Sequence, residues 1–517
     1  MQRHCSVSAA TLRGIEAIPV QVEVSVAPGL PGISIVGLPD SSVQESRLRV
    51  KAAIKATGFE VPAASIVVNL APSSVKKVGS GFDLPIALGI LVGTGQVSGE
   101  VLEGNTFIGE ISLDGDVRGV QGLLAVAVMV SKGGGSLITG STNDDLSLAL
   151  PHRHLIVSNL SRFLRKDFAD RVVIGSPHDS VGSIEAQSAA YESDYADIAG
   201  QDYAKRALQI SAAGQHSILM VGPPGSGKTM LARRLPGIMP PLGERERLET
   251  ALIHSVAGLD FDAVLAGRRP FRSPHHSATP AGIMGGGTPM TPGEVSLSHN
   301  GVLFLDEMPE FGNRVLQMLR QPVEEGMVAL ARADGVYRFP ARFLLVGAAN
   351  PCPCGYLGDS EKRCTCSEGM ITHYQSKLGG PLVDRFDMML QVNRSDPKTV
   401  LQTGTGTSSA QLRQGVMAAR EFASFREAKF SDEMQGALGT SGAGQALGKD
   451  GALVAKCGLA DEEYSFMENI ARVHTLSGRG IMKVLKVART IADMEQQERV
   501  TADHITEAAM FRMQDRG

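Results

Sequence analysis

Short apolar runs alternate with amphipathic stretches over the first third of the chain. The runs have strand length, lie between turn-forming residues, and occur at 32–37, 65–70, 106–108 and 155–157. A capping-box pattern of Ser followed three residues later by Gln or Glu, at 41–45, predicts a helix that ends near Gly58. This alternation predicts an α/β module over residues 1–175.

The pattern of apolar and polar residues changes further along the chain. Residues 176–194 are polar, lack a sustained period and are predicted to form a linker. A strand–loop–helix pattern then resumes over 195–394, and 395–517 is helical in character. The predicted helices are 410–425, 461–476, 481–496 and 501–512. A glycine-rich tract at 436–451 predicts an exposed loop between the first two of them.

The strongest chemical motif follows an apolar run at 217–221 and reads GPPGSGKT, with a helical sequence after it. Glycines let successive backbone N–H groups point at phosphate oxygens, and the following helix N-terminus adds positive potential. Lys228 is expected to reach the β- and γ-phosphates, and Thr229 to bind Mg²⁺. The predicted nucleotide contacts in this loop are Gly222, Pro223, Pro224, Gly225, Ser226, Gly227, Lys228 and Thr229.

Three further strand ends carry polar residues suited to ATP hydrolysis. Asp306 follows an apolar strand and can hold Mg²⁺, and Glu307 can polarise the attacking water. Asn350 ends another apolar strand and would orient that water. Arg385 precedes the strand 388–392 and is a candidate arginine finger; the alternative is an ion pair with Asp384 or Asp387.

Composition limits the classes of function. The 517 residues predict two to four domains at ~150 residues each. A charged fraction of 20% and a net charge of −4 exclude a disordered polyelectrolyte, so any nucleic-acid binding needs a local basic patch. Apolar runs are too short to span a bilayer, and no secretory signal is evident, so we expect a cytoplasmic protein without membrane contact.

Four of the six cysteines lie between 352 and 366, in the pattern C-x-C-x9-C-x-C. Cys352, Cys354, Cys364 and Cys366 suit a tetrahedral structural Zn²⁺. In a loop without a core of its own, metal binding could supply most of the ordering free energy. Free thiols or a redox-sensitive pair are the alternatives. Cys5 and Cys457 are isolated and are expected to be inert.

Several longer blocks resemble those of the magnesium-chelatase-like AAA+ ATPases of the ComM/YifB family. They are IAGQ at 198–201, RPFRSPHH at 269–276, GGG at 285–287, PGEVSLSHNGVLFLDE at 292–307, NPCPCG at 350–355 and DRFD at 384–387. The resemblance extends from GLPG at 29–32 to SGR at 477–479. It implies an α/β fold: a P-loop AAA+ core with a helical lid, preceded by a Lon-protease-like α/β domain.

The resemblance also implies roles for single residues. Ile198 would contact the nucleotide, Asn350 would be the first sensor, and Arg385 would reach the ATP of a neighbouring subunit in a hexamer. Arg479 would be the second sensor on the lid, although Gly478 and Gly480 on either side of it are poor helix formers. A hairpin inserted after the P-loop is also implied, and a cysteine loop of the zinc-finger type is expected.

A basic segment near this core is the candidate DNA contact. Arg269, Arg272, His275 and His276 are expected to face DNA in the pore of the ring, with 283–292 as a flexible hairpin tip. The alternative is that the arginines pair with acids of the same domain. Two adjacent histidines without a third ligand are not expected to bind a metal.

The N-terminal module resembles a Lon-protease domain at 79–87 and 109–118. A Lon-type peptidase needs a serine and a lysine within hydrogen-bond reach. Ser80 lies one position from the expected nucleophile, where Gly81 stands, and Leu124 occupies the lysine position. We therefore expect a non-proteolytic scaffold.

The leading hypothesis is a hexameric, ATP-driven DNA motor, a branch-migration helicase or translocase acting in DNA uptake during natural transformation. The alternative is a chelatase-like or chaperone-like motor that remodels a protein partner, and a weaker one is an ATP-dependent peptidase. The expected cofactors are ATP with Mg²⁺ and a structural Zn²⁺.

Overall fold

The structure, a computed structural model, describes residues 3–141, 153–174, 193–333, 335–359, 361–378, 383–394, 398, 406–438 and 449–512. The predicted linker 176–194 therefore lies outside the described residues except for its last two positions. Most of the glycine-rich tract 436–451 lies outside them as well.

The N-terminal module is a mixed eight-stranded sheet with helices packed on it. Its strands are β1 Arg3–Arg13, β2 Glu16–Ala27, β3 Gly32–Val36, β4 Ser65–Ala71, β5 Asn105–Phe107, β8 Ser136–Thr139, β9 Arg153–Ile156 and β10 Arg171–Ile174, beside a two-stranded ribbon of β6 Glu110–Ile111 and β7 Val117–Arg118. Its helices are α1 Ser41–Ala56, α2 Asp83–Gly93 and α3 Leu123–Gly133. The strand order in the large sheet is β10-β9-β8-β5-β1-β2-β4-β3.

Helix α1 confirms the predicted helix but not its predicted cap. Asp40 is the N-cap, and its Oδ1 accepts a hydrogen bond from Val43 N at 2.9 Å. A carboxylate at this position satisfies a backbone N–H that has no partner within the helix. Asp40, and not Ser41 or Ser42, therefore caps the helix, which begins at Ser41.

The central module is built on a five-stranded parallel sheet. Its strands along the chain are β11 Ile218–Val221, β12 Phe271–Arg272, β15 Val302–Leu305, β18 Leu344–Ala349 and β19 Met388–Gln391, with two hairpins, β13 Gly285–Gly286 with β14 Thr291–Pro292 and β16 Met327–Arg332 with β17 Gly335–Pro340. The helices are α4 Asp202–Gly214, α5 Lys228–Ile238, α6 Glu244–Val256, α7 Asp262–Leu265, α8 Pro280–Met284, α9 Glu294–Leu297, α10 Asn313–Met318, α11 Arg320–Glu325 and α12 Glu368–Leu378.

The strand order in this sheet is β12-β15-β18-β11-β19, and every neighbouring pair is parallel. The first strand, β11, therefore lies between the last two, and the chain leaves it for the far edge of the sheet. In open parallel sheets such a reversal of strand order opens a crevice at the carboxyl ends of the strands, where ligands bind.

The C-terminal part is helical. Its helices are α13 Ser409–Leu438, α14 Lys449–Cys457, α15 Asp461–Val473, α16 Gly478–Met494 and α17 Ala502–Met510. Buried Leu485 and Ile491 of α16 share one apolar core with Leu208 of α4 and Leu231 of α5. The four predicted helices are confirmed, and the first continues to Leu438. Within the described residues, none of the helices has both the length and the apolarity that a membrane crossing requires.

The N-terminal and central modules also share an apolar core. Leu124 and Val126 of α3 pack in one cluster with Ala251 of α6 and Phe261 and Leu265 beside it. All five side chains are buried. Burial of this kind stabilises the contact by ~25 cal/mol per Å² of apolar surface, so the two modules are joined by more than a linker.

Candidate nucleotide and cysteine sites

The glycine-rich loop lies at the carboxyl end of the central strand β11. Gly225 and Gly227 have φ values of +78° and +89°, which favour glycine. At Gly222 an added Cβ would lie 2.1 Å from the carbonyl oxygen of Val392, the residue after β19. Only glycine therefore fits at this position. Helix α5 begins directly after the loop, and its N-terminus therefore points at whatever the loop encloses.

Lys228 is buried at the start of α5. Its Nζ donates to the carbonyl oxygens of Gly222 and Pro223 at 2.7 and 2.9 Å. Burial lowers the pKa of this ammonium, while the nearby Asp306 carboxylate raises it. The charge is thus held inside the loop by its backbone, in the position from which a lysine contacts phosphates.

Thr229 and Asp306 come together although 77 residues separate them. Thr229 Oγ1 donates to Asp306 Oδ2 at 2.8 Å. The next residue, Glu307, has a left-handed backbone with φ of +49°, and its side chain is 58% exposed. Hydroxyl and carboxylate oxygens are ligands that Mg²⁺ accepts, and they adjoin the phosphate loop. The donor set and the sheet edge therefore fit a magnesium ion.

Asn350 and Ile198 have different surroundings. Asn350 directly follows β18, whose last residue, Ala349, accepts a hydrogen bond from Gly222 N at 3.1 Å. The buried Tyr374 phenol bonds the backbone of Asn350, and burial raises its pKa to about 12. Asn350 is therefore held beside the P-loop. Ile198 is buried in the core formed with α4 and α5.

Arg385 lies at the opposite end of the sheet from the P-loop. Its carbonyl accepts a hydrogen bond at 2.9 Å from Ser217 Oγ, just before β11 begins. Its guanidinium pairs with Glu324 on α11, and not with Asp384 or Asp387 as the alternative proposed. A four-residue strand spans ~13 Å, so Arg385 is remote from the loop of its own chain.

Arg479 lies in the first turn of α16, where its side chain is exposed. Ser477 caps this helix by accepting a hydrogen bond from Gly480 N at 3.2 Å. The flanking glycines therefore belong to a capped helix start, where a glycine costs less than it does in the helix interior.

The basic segment 269–276 does not form one exposed surface. Arg269 is 4% exposed, and its guanidinium donates to the carbonyl oxygens of Pro240 and Asn300, both at 2.5 Å, and to Glu246 at 3.0 Å. This burial is at odds with the prediction that Arg269 contacts DNA. Arg272 forms a two-pronged ion pair with Glu294 at 2.6 and 2.7 Å, which is the alternative that the sequence left open.

The two adjacent histidines, His275 and His276, also have different partners. His275 Nδ1 lies 2.7 Å from Ser277 Oγ, and the rings of His275 and His276 lie 4.1 Å apart between centroids, tilted by 34°. His276 Nδ1 lies 3.5 Å from Glu307 Oε2. His276 therefore adjoins the candidate nucleotide site, where the sequence did not place it. Strand β12 pairs with β15, which brings 271–276 next to 302–307. A strand of two residues leaves no pattern in the sequence from which this neighbour could have been found.

Two hairpins emerge from the central module. In the predicted hairpin 283–292, Ile283 and Met284 are buried, and Pro289 and Met290 line a cavity of about 340 Å³ shared with the N-terminal module. The second hairpin, β16–β17, was not predicted. It carries Arg332 and Arg338 at exposed positions.

Ser80 lies in the same shared cavity. Its Oγ is 2.5 Å from Glu110 Oε2, so the hydroxyl is paired with a carboxylate. Leu124, at the position where a Lon-type peptidase has its lysine by the resemblance, is fully buried in the apolar core. These contacts give Ser80 a hydrogen-bonding role within the domain.

The four clustered cysteines converge. Cys352 Sγ lies 3.4 Å from Cys354 Sγ and 3.7 Å from Cys364 Sγ, and all four sulfurs lie within 4.8 Å of one another. A tetrahedral site with Zn–S bonds of ~2.3 Å requires S···S separations of ~3.8 Å. Backbone N–H groups of Thr365 and Tyr356 lower the pKa of Cys354 to about 5. At Cys366 a backbone hydrogen bond from Cys354 is outweighed by desolvation and the neighbouring sulfurs, which raise the pKa of Cys366 to about 12, so the support for a metal comes from the spacing of the sulfurs. The four side chains therefore fit Zn²⁺.

Comparison with known proteins gives matches along almost the whole chain. The models for magnesium chelatase subunit ChlI match residues 22–143 and 194–400, and the model for its C-terminal part matches 406–512. Protein YifB of Escherichia coli is 38% identical over 97% of this chain and 96% of its own length. Competence protein ComM of Haemophilus influenzae is 38% identical over 96% of this chain and 95% of its own. DNA helicase MCM8 of Rattus norvegicus is 27% identical over 37% of this chain and 19% of its own length.

Proposed function

Because the chain belongs to the magnesium-chelatase-like family that includes YifB and ComM, we propose that it is an AAA+ ATPase that uses the loop at 222–229. The single observation that carries the proposal is the 2.8 Å contact between Thr229 and Asp306 beside the buried Lys228. It joins a phosphate-binding loop to a metal-binding carboxylate at the sheet position where nucleotides bind.

Each residue has a definite task in this proposal. Lys228 and the loop N–H groups bind the β- and γ-phosphates, and Thr229 and Asp306 hold Mg²⁺, which when bound neutralises phosphate charge. Glu307 accepts a proton from the attacking water, and Asn350 orients that water. His276, 3.5 Å from Glu307, positions the carboxylate. The C-terminal helices serve as the lid that carries Arg479 to the γ-phosphate.

The active form is proposed to be a hexameric ring. Arg385 lies at the sheet end opposite the P-loop and pairs with the half-exposed Glu324. An arginine finger at this position acts on the ATP of a neighbouring subunit, where it stabilises the charge that develops during phosphoryl transfer. In this arrangement Glu324 is a resting partner from which Arg385 is released on assembly. The N-terminal module acts as a non-proteolytic, Lon-like scaffold of the ring.

DNA is the proposed substrate of the motor. The similarity to DNA helicase MCM8 supports this, as does the name of the competence protein ComM. The β16–β17 hairpin exposes Arg332 and Arg338. Arginines on an extended hairpin can neutralise successive phosphates of a strand. We therefore assign this hairpin, and not Arg269, to DNA contact, with branch migration as the proposed activity.

The test is ATP hydrolysis with single-stranded, duplex and four-way-junction DNA over a salt series. We expect DNA to stimulate hydrolysis, and we expect the stimulation to fall steeply as salt rises, because phosphate contacts release counterions. Hydrolysis indifferent to all three DNAs would favour a protein-remodelling motor. Absence of hydrolysis and of nucleotide binding would overturn the ATPase proposal itself.

A further inference from the structure

The cysteine loop packs directly on the P-loop. Gly355, which follows Cys354, has φ of +83°, and an added Cβ would lie 2.6 Å from Cδ of Pro224 in the middle of the P-loop. The same Cβ would lie 3.8 Å from Asn350 Cγ. Gly355 in the cysteine loop therefore lies close to both the Pro224 ring of the P-loop and the Asn350 side chain.

Arg394 forms a second link between the cysteine loop and the P-loop. Its Nη2 donates to the Pro224 carbonyl oxygen at 3.3 Å, its Nε lies 3.1 Å from Asp359 Oδ2, and its Nη1 lies 3.2 Å from Glu361 Oε2. Both acids are inside the cysteine loop. One guanidinium thus bridges the P-loop and the segment between the two cysteine pairs.

The bridge is held in place by local bonds. Asp359 Oδ1 accepts the backbone N–H groups of Glu361 and Lys362 at 2.9 and 2.8 Å. The Tyr356 ring lies between Lys362 and Arg394, with the cations 5.2 and 5.7 Å from its centroid. Arg394 follows β19, where Val392 N donates to Val221 O at 2.8 Å, immediately before the P-loop. Its backbone is therefore anchored in the sheet.

We propose that the metal-bound cysteine loop 352–366 is a positioning element for the P-loop, and that Arg394 and the Gly355–Pro224 contact transmit metal occupancy to nucleotide affinity. Four thiolates that share one Zn²⁺ fix the loop that carries Gly355, Asp359 and Glu361. Without the metal the loop has little apolar core to hold this shape, and Pro224 loses its neighbour. This inference rests on the proposed ATPase function.

Two glycines of the same loop offer a matched test. Gly355 and Gly358 both have positive φ, +83° and +75°, so alanine strains the backbone at both positions. A Cβ at Gly358 has nothing within 4 Å, whereas one at Gly355 meets Pro224. We expect Gly355→Ala to weaken binding of a fluorescent ATP analogue ~10-fold at unchanged zinc content, because displaced positioning groups cost about this much or more. Gly358→Ala should stay within about twofold of wild type.

The metal and the arginine are tested in parallel. Removing zinc from the full-length wild-type protein should weaken nucleotide binding by about the same factor as Gly355→Ala, and zinc re-addition should restore it. Arg394→Ala should weaken binding and Arg394→Lys should recover part of it, while Arg342→Ala, at an exposed ion pair with Glu249, serves as the control.

The outcomes separate the two proposals. Zinc removal that leaves nucleotide affinity unchanged, or equal effects of the two glycine variants, would overturn the coupling and leave the ATPase proposal standing. A zinc-loaded wild-type protein that binds no nucleotide would overturn both.

Discussion

The nucleotide site and the basic segment 269–276 are equally prominent in the sequence, yet they are built differently. In the nucleotide site, Lys228, Asp306 and Asn350 all lie beyond the carboxyl ends of strands of one parallel sheet, so the sheet itself brings them together. In the basic segment, neighbouring side chains have separate partners. Arg269 is buried against carbonyls, and Arg272 pairs with Glu294.

The difference shows which roles a sequence can specify. A role fixed by backbone position, such as the end of a strand or the start of a helix, follows from local pattern. A role fixed by a tertiary partner depends on which distant residue packs nearby. Substitutions at residues of both kinds test this contrast.

Arg385→Ala tests whether Arg385 acts as an arginine finger or only as the ion-pair partner of Glu324. We expect hydrolysis to fall by ~10³–10⁵ with assembly intact, because a finger acting between subunits is lost. Glu324→Ala removes only the observed ion-pair partner and should leave turnover near wild type. The measurement is steady-state ATPase together with light scattering for ring mass. Equal losses in both variants would reduce Arg385 to a structural ion pair.

Glu307→Gln tests the strand-end assignment. The amide cannot accept the proton of the attacking water, so hydrolysis should fall by ~10²–10⁴ while nucleotide binding persists. Glu310→Gln, three residues further on and also exposed, is the matched control. Bound ATP trapped after gel filtration is the readout. Normal turnover in Glu307→Gln would remove this residue from catalysis.

Arg269→Ala tests the buried half of the basic segment. We expect the free energy of unfolding to fall by ~3 kcal/mol, because Glu246 and three backbone carbonyl groups lose a buried charged partner. Arg245→Ala, at an ion pair within α6 whose arginine side chain is 89% exposed, should cost ~0.5 kcal/mol or less. Urea denaturation checks both. If Arg269→Ala destabilises the protein no more than Arg245→Ala does, Arg269 is again a candidate for DNA contact.

His276→Ala asks whether the second histidine works with Glu307. Loss of the 3.5 Å neighbour should lower the hydrolysis rate ~10-fold, with a smaller change in nucleotide affinity, since a misplaced carboxylate costs about this much. His275→Ala, which touches Ser277, is the control. A His276→Ala variant that hydrolyses ATP as fast as the wild type would exclude His276 from catalysis.

Arg332→Ala and Arg338→Ala carry the smallest expected effect. Each should weaken DNA binding about threefold at moderate salt and lower the salt-dependence exponent by ~1, as the loss of one phosphate contact requires. Stability should not change, in contrast to Arg269→Ala. Fluorescence anisotropy with labelled single-stranded DNA across a salt series measures this. Unchanged exponents would exclude the hairpin as a DNA contact.

Sequence pattern predicted the structure best where neighbouring residues alone determine the backbone conformation. The strand–loop–helix at 218–238, the strand before Asp306 and the C-terminal helices all follow from apolar runs and glycine placement. Pattern failed for β12, which is only two residues long, and for β16–β17, whose polar face gives little signal. It missed Glu324 and Glu294 as partners because ion pairing between distant elements has no local signature.

The apolar cluster that joins α3 to α6 and α7 has a practical consequence for dissecting the chain. Cutting it before residue 193 would leave Leu124 and Val126 on one fragment, and Ala251 and Phe261 on the other, facing water. Both fragments would then expose apolar surface and tend to aggregate. Aggregation of either fragment in isolation would therefore say nothing about its activity. A portion of the chain that keeps this cluster buried must therefore include α3 together with α6 and α7.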